Sequence, residues 1–324
     1  MSLFSSLRNT SGPTVAVELS ANRVSAASVT WRAGEPVVTG HAIEPLAPGA
    51  LAPSLTAANI RDRGTVAAAL HRVLERVGHP RRIGLVVPDL VAKVSLVRFE
   101  QVPTRAADLD QLVRWQVRKT APFAIDDAQV TYVSGLNSEE GQEFIVSIAR
   151  REIVQEYEAL VAAAGAHAGI VDLSTFNVIN AVLASRAPQA AAPGDDWLLV
   201  NVAPDYASIA ILRGAHLIFF RNRAADADGT LENLVHQTAM YYEDRLKGAG
   251  FNRVILSGAA ATGGDHAVDV DDMRRSLERR LNTAVEAVDP RTAASLTDRI
   301  SAAPALLDVL APLVGLLLRD QEAA

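Results

Sequence analysis

The sequence predicts an α/β fold with two lobes and a small inserted subdomain. Three observations support this prediction: the length of 324 residues, the order of the predicted elements, and a hairpin pattern that occurs twice. A chain of this length is too long for one compact core, and its 49% hydrophobic and 21% charged residues are typical of globular proteins. Strands that alternate with helices indicate sheets covered by helices.

The first lobe is predicted to comprise residues 1–90 and 169–186. It begins with two β-prone runs that flank a polar turn at Ala21 and Asn22, a pattern that predicts a hairpin. Apolar residues at helical spacing, and short apolar runs bounded by Gly or Pro, indicate the remaining elements. The predicted elements are strands at residues 15–20, 23–29, 36–43, 83–88 and 170–172, with helices at 64–77 and 174–185.

The inserted subdomain is predicted at residues 91–168, with the element order β-α-β-β-α. Val102 and Pro103 separate an alternating strand from a helix with one apolar face. A polar loop at residues 137–142 separates two further strands, and Gly165 ends the last helix. The predicted elements are a strand at residues 91–99, a helix at 104–119, strands at 128–133 and 143–148, and a helix at 151–164.

A linker rich in Ala and Pro at residues 187–196 is predicted to precede a reduced second lobe at residues 197–324. The opening of that lobe, LLVNVAPDYASIAIL, repeats the strand, polar turn and returning strand of VAVELSANRVSAASV near the start of the chain. This similarity predicts a duplicated lobe. The apolar stretch at residues 302–318 contains Pro304 and Asp308 and is shorter than the ~20 residues of a membrane-spanning helix, so we predict a buried terminal helix and no membrane span.

Composition excludes several classes of function. The formal net charge is −6, so we expect no basic surface that binds nucleic acid. The absence of cysteine excludes disulfides, thiolate metal sites and cysteine nucleophiles. Neither a paired-histidine motif nor a Gly-x-Ser-x-Gly motif occurs, so we predict no metal site and no catalytic residues. The opening residues lack the pattern of a secretory signal, and we therefore expect a cytoplasmic protein.

One segment carries a specific family resemblance. Residues 102–126, VPTRAADLDQLVRWQVRKTAPFAID, contain a Val-Pro pair, an acidic helix with an aromatic residue near its end, and a Pro-Phe-x-Ile-Asp motif. Together with residues 149–152 and 170–172, this segment resembles the PilM family of type IV pilus assembly proteins in the actin-like ATPase superfamily, which also contains the division protein FtsA. The resemblance covers nearly the whole chain. It implies an actin-like two-lobed fold of two RNase H-like domains, with the insertion in the first lobe.

The resemblance also implies where a nucleotide is held, namely at two phosphate loops and an adenosine-binding strand. The first loop, Asp-Ile-Gly-Ser in the family, corresponds to residues 18–23, where an acid is kept but serine replaces glycine. The second loop, Asp-x-Gly, has lost its acid and its glycine at residues 201–203, and one glycine remains of the Gly-Gly pair in the adenosine strand. The candidate cofactor-binding residues are Glu18, Ser20, Ala21, Asn22, Asn201, Ala203, Gly229, Ser257 and Gly258.

ATP with Mg²⁺ is the only cofactor that the resemblance implies. Relatives carry a further subdomain between the second phosphate loop and the adenosine strand, whereas one helix separates Arg221 from Arg253 here. A nucleotide without that wall loses much of the burial on which its affinity depends. We therefore expect lost or weak ATP binding, as in a pseudoenzyme, and an active ATPase of the same machine is the alternative.

A partner site is predicted in the inserted subdomain. In PilM-like proteins the groove between the first lobe and the insertion takes the cytoplasmic tail of the membrane protein PilN. We therefore expect a scaffold held at the inner membrane by a PilN-like tail and in contact with other pilus assembly platform proteins. The candidate partner-binding residues are Arg114, Trp115, Pro122 and Phe123.

Two alternatives to this partner site remain open. An aromatic residue beside a cation can anchor a peptide, but Trp115 could also pack inside its own subdomain while Arg114 is solvated. The chain as a whole could be the cytoplasmic platform domain of a type II secretion system, a class of protein that resembles PilM.

Overall fold

A computed structural model of the protein describes residues 12–186, 195–262 and 270–319. The strands in this part of the chain are β1 (Val15–Ser20), β2 (Arg23–Arg32), β3 (Glu35–Pro45), β4 (Arg82–Val87), β5 (Ala92–Phe99), β6 (Ala128–Ser138), β7 (Gly141–Arg150), β8 (His167–Leu173), β9 (Asp196–Val202), β10 (Tyr206–Arg213), β11 (His216–Ala224), β12 (Arg253–Ser257), β13 (Val285–Ala287) and β14 (Ser295–Leu296). The helices are α1 (Arg63–Arg76), α2 (Ala106–Arg118), α3 (Arg151–Ala163), α4 (Ser174–Leu183), α5 (Leu231–Leu246), α6 (Val270–Leu281) and α7 (Pro304–Leu318).

The two larger sheets are built on the same plan. The first has the strand order β14-β3-β2-β1-β4-β8, and the second has the order β11-β10-β9-β12-β13. In each sheet the first three strands of the lobe are antiparallel, and two later strands lie parallel to the first. The two-lobed α/β fold predicted from the sequence is confirmed, and each copy of the repeated hairpin begins one lobe.

The central strands of both sheets are continuous apolar runs because they have no solvent-facing side. All six residues of β1 are buried, and so are six of the seven residues of β9. Strands with neighbours on both sides and helices on both faces are expected to read this way. Polar residues within them, such as Glu18 and Asn201, therefore need internal partners or a ligand.

The third sheet, with the order β5-β7-β6, forms the insertion and carries α2 on one face. Alternate residues of β7, such as Phe144 and Val146, pack with Val113 and Val117 of α2, as the period of a strand requires.

The helix α3 was predicted to be the last element of the insertion, but the structure places it in the first lobe. Its side chains Ile153, Tyr157 and Leu160 are buried in the core of the first lobe instead. It lies between the fourth and fifth strands of its lobe, as α6 does in the second lobe. The insertion therefore has the order β-α-β-β, and α3 belongs to the plan that both lobes share.

The helices α4 and α7 lie between the two large sheets and contact each other. The helix α7 packs on the first sheet through residues such as Leu310 and Leu313, and every residue from 307 to 318 is buried. The helix α4 packs on the second sheet through Val178 and Ile179. The helix α4 follows the strands of the first lobe but packs on the second sheet. The helix α7 follows the strands of the second lobe but packs on the first sheet.

The predicted second lobe at residues 197–324 is therefore wrong at its carboxyl end. The short strand β14 pairs with β3 of the first sheet, and α7 lies on that same sheet. A helix that is apolar except for one aspartate is expected to be buried, but its sequence does not show which sheet it joins.

The predicted linker at residues 187–196 has most of its length, residues 187–194, outside the described residues. Within the described ranges, none of the helices is both long enough and apolar enough to cross a membrane.

Candidate functional site

The candidate nucleotide residues meet where β1, β9 and β12 end. A small cavity there is lined by five of them, Glu18, Ser20, Asn201, Ala203 and Gly258. These residues come from both lobes, because each hairpin turn lies at the same edge of its sheet. The structure therefore brings together most of the predicted site, but the cavity has a volume of only about 20 Å³.

Glu18 is held by side chains of its own lobe. Its Oε2 accepts hydrogen bonds from Arg23 at 3.2 Å and from Ser25 at 3.3 Å. Its Oε1 accepts a hydrogen bond from the hydroxyl of Ser174 at 3.2 Å. The acid that would position a metal or a water in an ATPase is thus satisfied by internal partners.

Arg23 reaches from the first hairpin across the cavity to the second lobe. Its Nη1 donates to Oδ1 of Asn22 and to the backbone oxygen of Ala261, both at 3.2 Å, while Nη2 pairs with Glu18. Ala261 follows β12, so this one side chain bridges the two lobes. Arg23 was not among the residues selected from the sequence. A long cationic side chain at the end of a loop of small and polar residues could have indicated a contact with another part of the chain.

Asp308 binds backbone amides of the turn that follows β12. Its Oδ2 accepts the N–H of Ala260 at 2.7 Å, and Ala260 lies in the short 3-10 turn Ala259–Ala261. Burial raises the pKa of Asp308, and hydrogen bonds from the amides of Gly258 and Ala260 oppose that rise. A carboxylate of α7 thus takes up amide groups that could otherwise bind a ligand anion.

Gly258 is required by the close packing of β12 against β9. Its φ is +81°, and a Cβ at this position would lie 2.0 Å from the carbonyl oxygen of Val202. Both features favour glycine whether or not a nucleotide binds. The hydroxyl of the adjacent Ser257 is buried and makes no hydrogen bond to any described residue.

A buried polar cluster centred on Asp89 joins the lobes beside the cavity. Asp89 is fully buried, and it accepts hydrogen bonds from the N–H of Thr175 at 3.1 Å and from the hydroxyl of Ser208 at 2.5 Å. Asn222 donates to the Asp89 backbone oxygen at 3.0 Å, and Asn201 donates to Oγ1 of Thr175 at 2.8 Å. Asp89 and Thr175 belong to the first lobe and the other three residues to the second, so the cluster ties the lobes together.

Sequence reasoning missed this cluster and also missed Asp205. Asp89 lies two residues after the end of the buried strand β4, and an acid just beyond the carboxyl end of such a strand was the available signal in the sequence. Burial raises the pKa of Asp89. Asp205 lies in the turn between β9 and β10, and both of its carboxylate oxygens are buried without a hydrogen-bond partner among the described residues. Burial raises the pKa of Asp205 to about 6, and the negative charge of Asp89 contributes.

The remaining candidate nucleotide residues do not line the cavity. Ala21 and Asn22 form the turn between β1 and β2. Gly229 precedes α5 at a φ of +97°, and its carbonyl oxygen accepts a hydrogen bond from Arg223 at 3.0 Å. As the sequence indicated, the single helix α5 occupies the connection between β11 and β12.

The residues present do not fit ATP with Mg²⁺. A cavity of about 20 Å³ holds roughly one water, whereas ligand pockets have volumes of roughly 300–1,000 Å³. Arg23 and Asp308 already engage the groups that face a ligand. In the part of the chain that the structure describes, no three acidic or histidine side chains are grouped so as to hold a metal ion.

The candidate partner residues lie on α2 and in the segment after it. Trp115 is 60% exposed, and Nζ of Lys119 lies 5.6 Å from the centre of its ring. Arg114 forms an ion pair one turn back on the helix, at 2.7 Å. Pro122 is exposed, and the half-buried Phe123 packs against the core of the inserted sheet. The alternative in which Trp115 packs inside its subdomain is therefore wrong.

A larger groove lies on the opposite face of the inserted sheet from α2. Its volume is about 510 Å³, and it is lined by β6, β7, α3, β8, α4 and the turn between β10 and β11. Thr131, Val133, Ile145 and Ser147 line it, while Val146, between the last two, packs in the core with α2. The four candidate partner residues do not line this groove, and Val133, which is 57% exposed, is a residue that sequence reasoning missed.

The chain is similar in fold to solved structures of low sequence identity. One is a PilM-PilN type IV pilus biogenesis complex, with 17% identity and a TM-score of 0.79, in a match that covers 95% of this chain and 98% of that one. Another is a protein from Bacteroides thetaiotaomicron with an actin-like ATPase fold and unknown function, with 10% identity, a TM-score of 0.48, and 89% and 93% of the two chains covered. A third is the cytoplasmic domain of EpsL, an inner membrane component of the type II secretion system of Vibrio cholerae, with 12% identity, a TM-score of 0.48, and 96% and 94% covered.

The family assignment comes from the sequence. None of the curated proteins matches the chain significantly. The family model described as type IV pilus assembly protein PilM matches residues 16–248, which is more than half of the chain. The fold shared with the structure of a PilM-PilN complex agrees with that match. This chain belongs to the PilM family of type IV pilus assembly proteins.

Proposed function

We propose that this protein is a scaffold of the type IV pilus assembly machine, and that it binds the cytoplasmic tail of a PilN-like inner-membrane protein in the groove beside the inserted sheet. The observation that carries the proposal is the groove itself, which has a volume of about 510 Å³ and a largely aliphatic lining. Family membership, and the fold shared with a protein solved as a PilM-PilN complex, support the type of partner.

The groove suits an extended peptide. Among the described residues, β6 is an edge strand of the inserted sheet and β8 is an edge strand of the first sheet, and both line the groove. Edge strands offer unpaired N–H and C=O groups to an added strand, and alternate side chains of that strand can enter apolar pockets. A short tail with apolar residues at every second position therefore fits this surface.

The proposed scaffold works in the cytoplasm, is held at the inner membrane by its partner, and contacts other pilus assembly platform proteins. It does not depend on ATP, because the cavity between the lobes has no room for a nucleotide. An active ATPase of the same machine has less support for the same reason. Co-purification separates this proposal from a platform role in a type II secretion system, because the chain would then co-purify with a membrane protein of that system.

Replacing Val133 with glutamate is expected to weaken binding of a synthetic PilN-like tail peptide by at least about tenfold. The substitution puts a charge into an apolar contact, a cost larger than the ~1.4 kcal/mol that a factor of ten represents. Because Val133 is 57% exposed, the variant should fold. Fluorescence anisotropy of a labelled peptide, titrated with wild type and variant, measures the difference.

Trp115→Ala is the matched control, because Trp115 is equally exposed but lies on the opposite side of the inserted sheet. We expect this variant to bind the tail peptide as the wild type does. If Trp115→Ala loses binding and Val133→Glu keeps it, the partner site is the one predicted at residues 114–123. If the wild type does not bind the peptide at all, the proposed function is wrong.

A further inference from the structure

Arg23 and Asp308 hold the same short turn of the second lobe from two sides. Arg23 donates to the carbonyl oxygen of Ala261 at 3.2 Å, and Asp308 accepts the amide of Ala260 at 2.7 Å. Arg23 begins β2, and Asp308 lies on α7, which packs on the first sheet. The turn after β12 is thus bound by one cation and one anion of the other lobe.

Two carboxyl groups of the protein, those of Glu18 and Asp308, surround the single guanidinium of Arg23 in this contact. Glu18 pairs with Arg23 at 3.2 Å, and both side chains are nearly buried. The positive charge of Arg23 also favours the ionised form of Asp308, although burial opposes it. Charge-assisted hydrogen bonds that are shielded from water are among the stronger polar contacts in proteins.

The Asp89 cluster adds a second set of contacts between the same two lobes. Ser208, Asn222 and Asn201 of the second lobe donate to Asp89 and Thr175 of the first, and the bonds from Ser208 and Asn201 are buried while that from Asn222 is partly buried. Together with the Arg23 and Asp308 contacts, these bonds leave a cavity of about 20 Å³ between the lobes. The lobes are therefore joined by groups of the chain itself, although Nε of Arg23, the hydroxyl of Ser257 and the carboxylate of Asp205 lie buried nearby without a hydrogen-bond partner among the described residues.

We propose that Arg23 and Asp308 replace a bound nucleotide as the bridge between the lobes, so that this protein stays closed without ATP. A nucleotide that contacts both lobes stabilises the closed form because it binds that form more tightly than the open one. Here the chain supplies the bridging charges. Because the groove beside the inserted sheet is lined by elements of both lobes, its shape then does not change with ATP.

The test measures amide hydrogen exchange in residues 259–262 of the full chain, together with its overall dimensions by small-angle scattering. Arg23→Ala and Asp308→Ala are each expected to speed exchange in this turn by about tenfold or more, because a lost charge-assisted bond exceeds the free energy that a factor of ten represents. Both variants are expected to be larger in solution than the wild type. For the wild type, millimolar Mg²⁺ and ATP should change neither the exchange nor the Tm.

Arg213→Ala is the matched control, since Arg213 pairs with Asp196 at 2.8 Å entirely within the second lobe. It should lower the Tm without changing the dimensions or the exchange of residues 259–262. Unchanged exchange in both test variants would overturn the inference, and so would stabilisation of the wild type by Mg²⁺ and ATP. Neither result bears on whether the tail peptide binds, so the proposed function is tested separately.

Discussion

Replacing Gly315 with alanine is expected to destabilise the protein by about 3 kcal/mol. A Cβ at Gly315 would lie 1.7 Å from the backbone oxygen of Asn177 and 2.9 Å from the backbone nitrogen of Ala181. These are backbone atoms of α4, so no side chain can rotate away, and α4 and α7 would have to separate. Because the two helices fill the space between both large sheets, the strain reaches both lobes. Urea unfolding followed by circular dichroism measures the loss.

Gly64→Ala is the control for this substitution. Gly64 lies in the first turn of α1, is exposed, and has Oδ1 of Asp62 as its nearest atom to an added Cβ, at 3.5 Å. The same change of residue should here stabilise the protein by about 0.5–1 kcal/mol, because alanine restricts the unfolded chain and favours helix. A Gly315→Ala variant as stable as Gly64→Ala would show that α4 and α7 are not in close contact.

Local elements of this fold were predictable from the sequence, but the association of elements from distant parts of the chain was not. The two hairpins were predictable because strand periodicity and turn residues are local signals. Residues 302–318 were recognisable as a buried helix, yet they were placed in the wrong lobe. A helix that is apolar except for Asp308 could pack on either sheet, and the close crossing of Gly315 with Asn177 of α4 is visible only in the structure. Such complementarity between distant segments leaves no periodic pattern.

The candidate site shows the same limit. Glu18, Asn201 and Gly258 were found because their loops resemble loops of known function, and the structure brings them to one cavity. Arg23 and Asp308, which decide what that cavity can hold, were not found, since each matters only through a residue of the other lobe. Family motifs indicate where a site should be. The residues that fill it are visible only when the lobes are together.

Replacing Asp205 with asparagine is expected to stabilise the protein at pH 7 by about 2–3 kcal/mol. Both carboxylate oxygens of Asp205 are buried without a hydrogen-bond partner among the described residues, so the ionised form is poorly solvated. Burial raises the pKa of this carboxyl from 3.8 to about 6, and a difference of one pKa unit corresponds to about 1.4 kcal/mol. Asparagine keeps the shape of the side chain, removes its charge, and relieves the repulsion with Asp89.

The pH dependence of the stability gained by Asp205→Asn shows whether the charge of Asp205 is its cause. Because the folded-state pKa is raised, the folded protein binds the Asp205 proton more tightly than the unfolded chain does, so stability falls as the pH rises from about 4 to about 6. Above that range the loss is complete, and below it the loss is absent. The stability difference between Asp205→Asn and wild type should therefore be near zero at about pH 4 and reach its full value by about pH 6 to 7. Urea unfolding at several pH values measures it.

Asp196→Asn, in the same lobe, should act in the opposite direction. Burial opposes ionisation of Asp196, but hydrogen bonds from Arg213 and Tyr242 outweigh it and lower its pKa. Removing that charge should destabilise the protein at pH 7, and the effect should shrink as the pH falls through the lowered pKa. A stabilising effect of Asp205→Asn that is the same at every pH would mean that shape, and not charge, is the cause. A destabilising effect would mean that the Asp205 carboxylate has a stabilising partner within the folded protein.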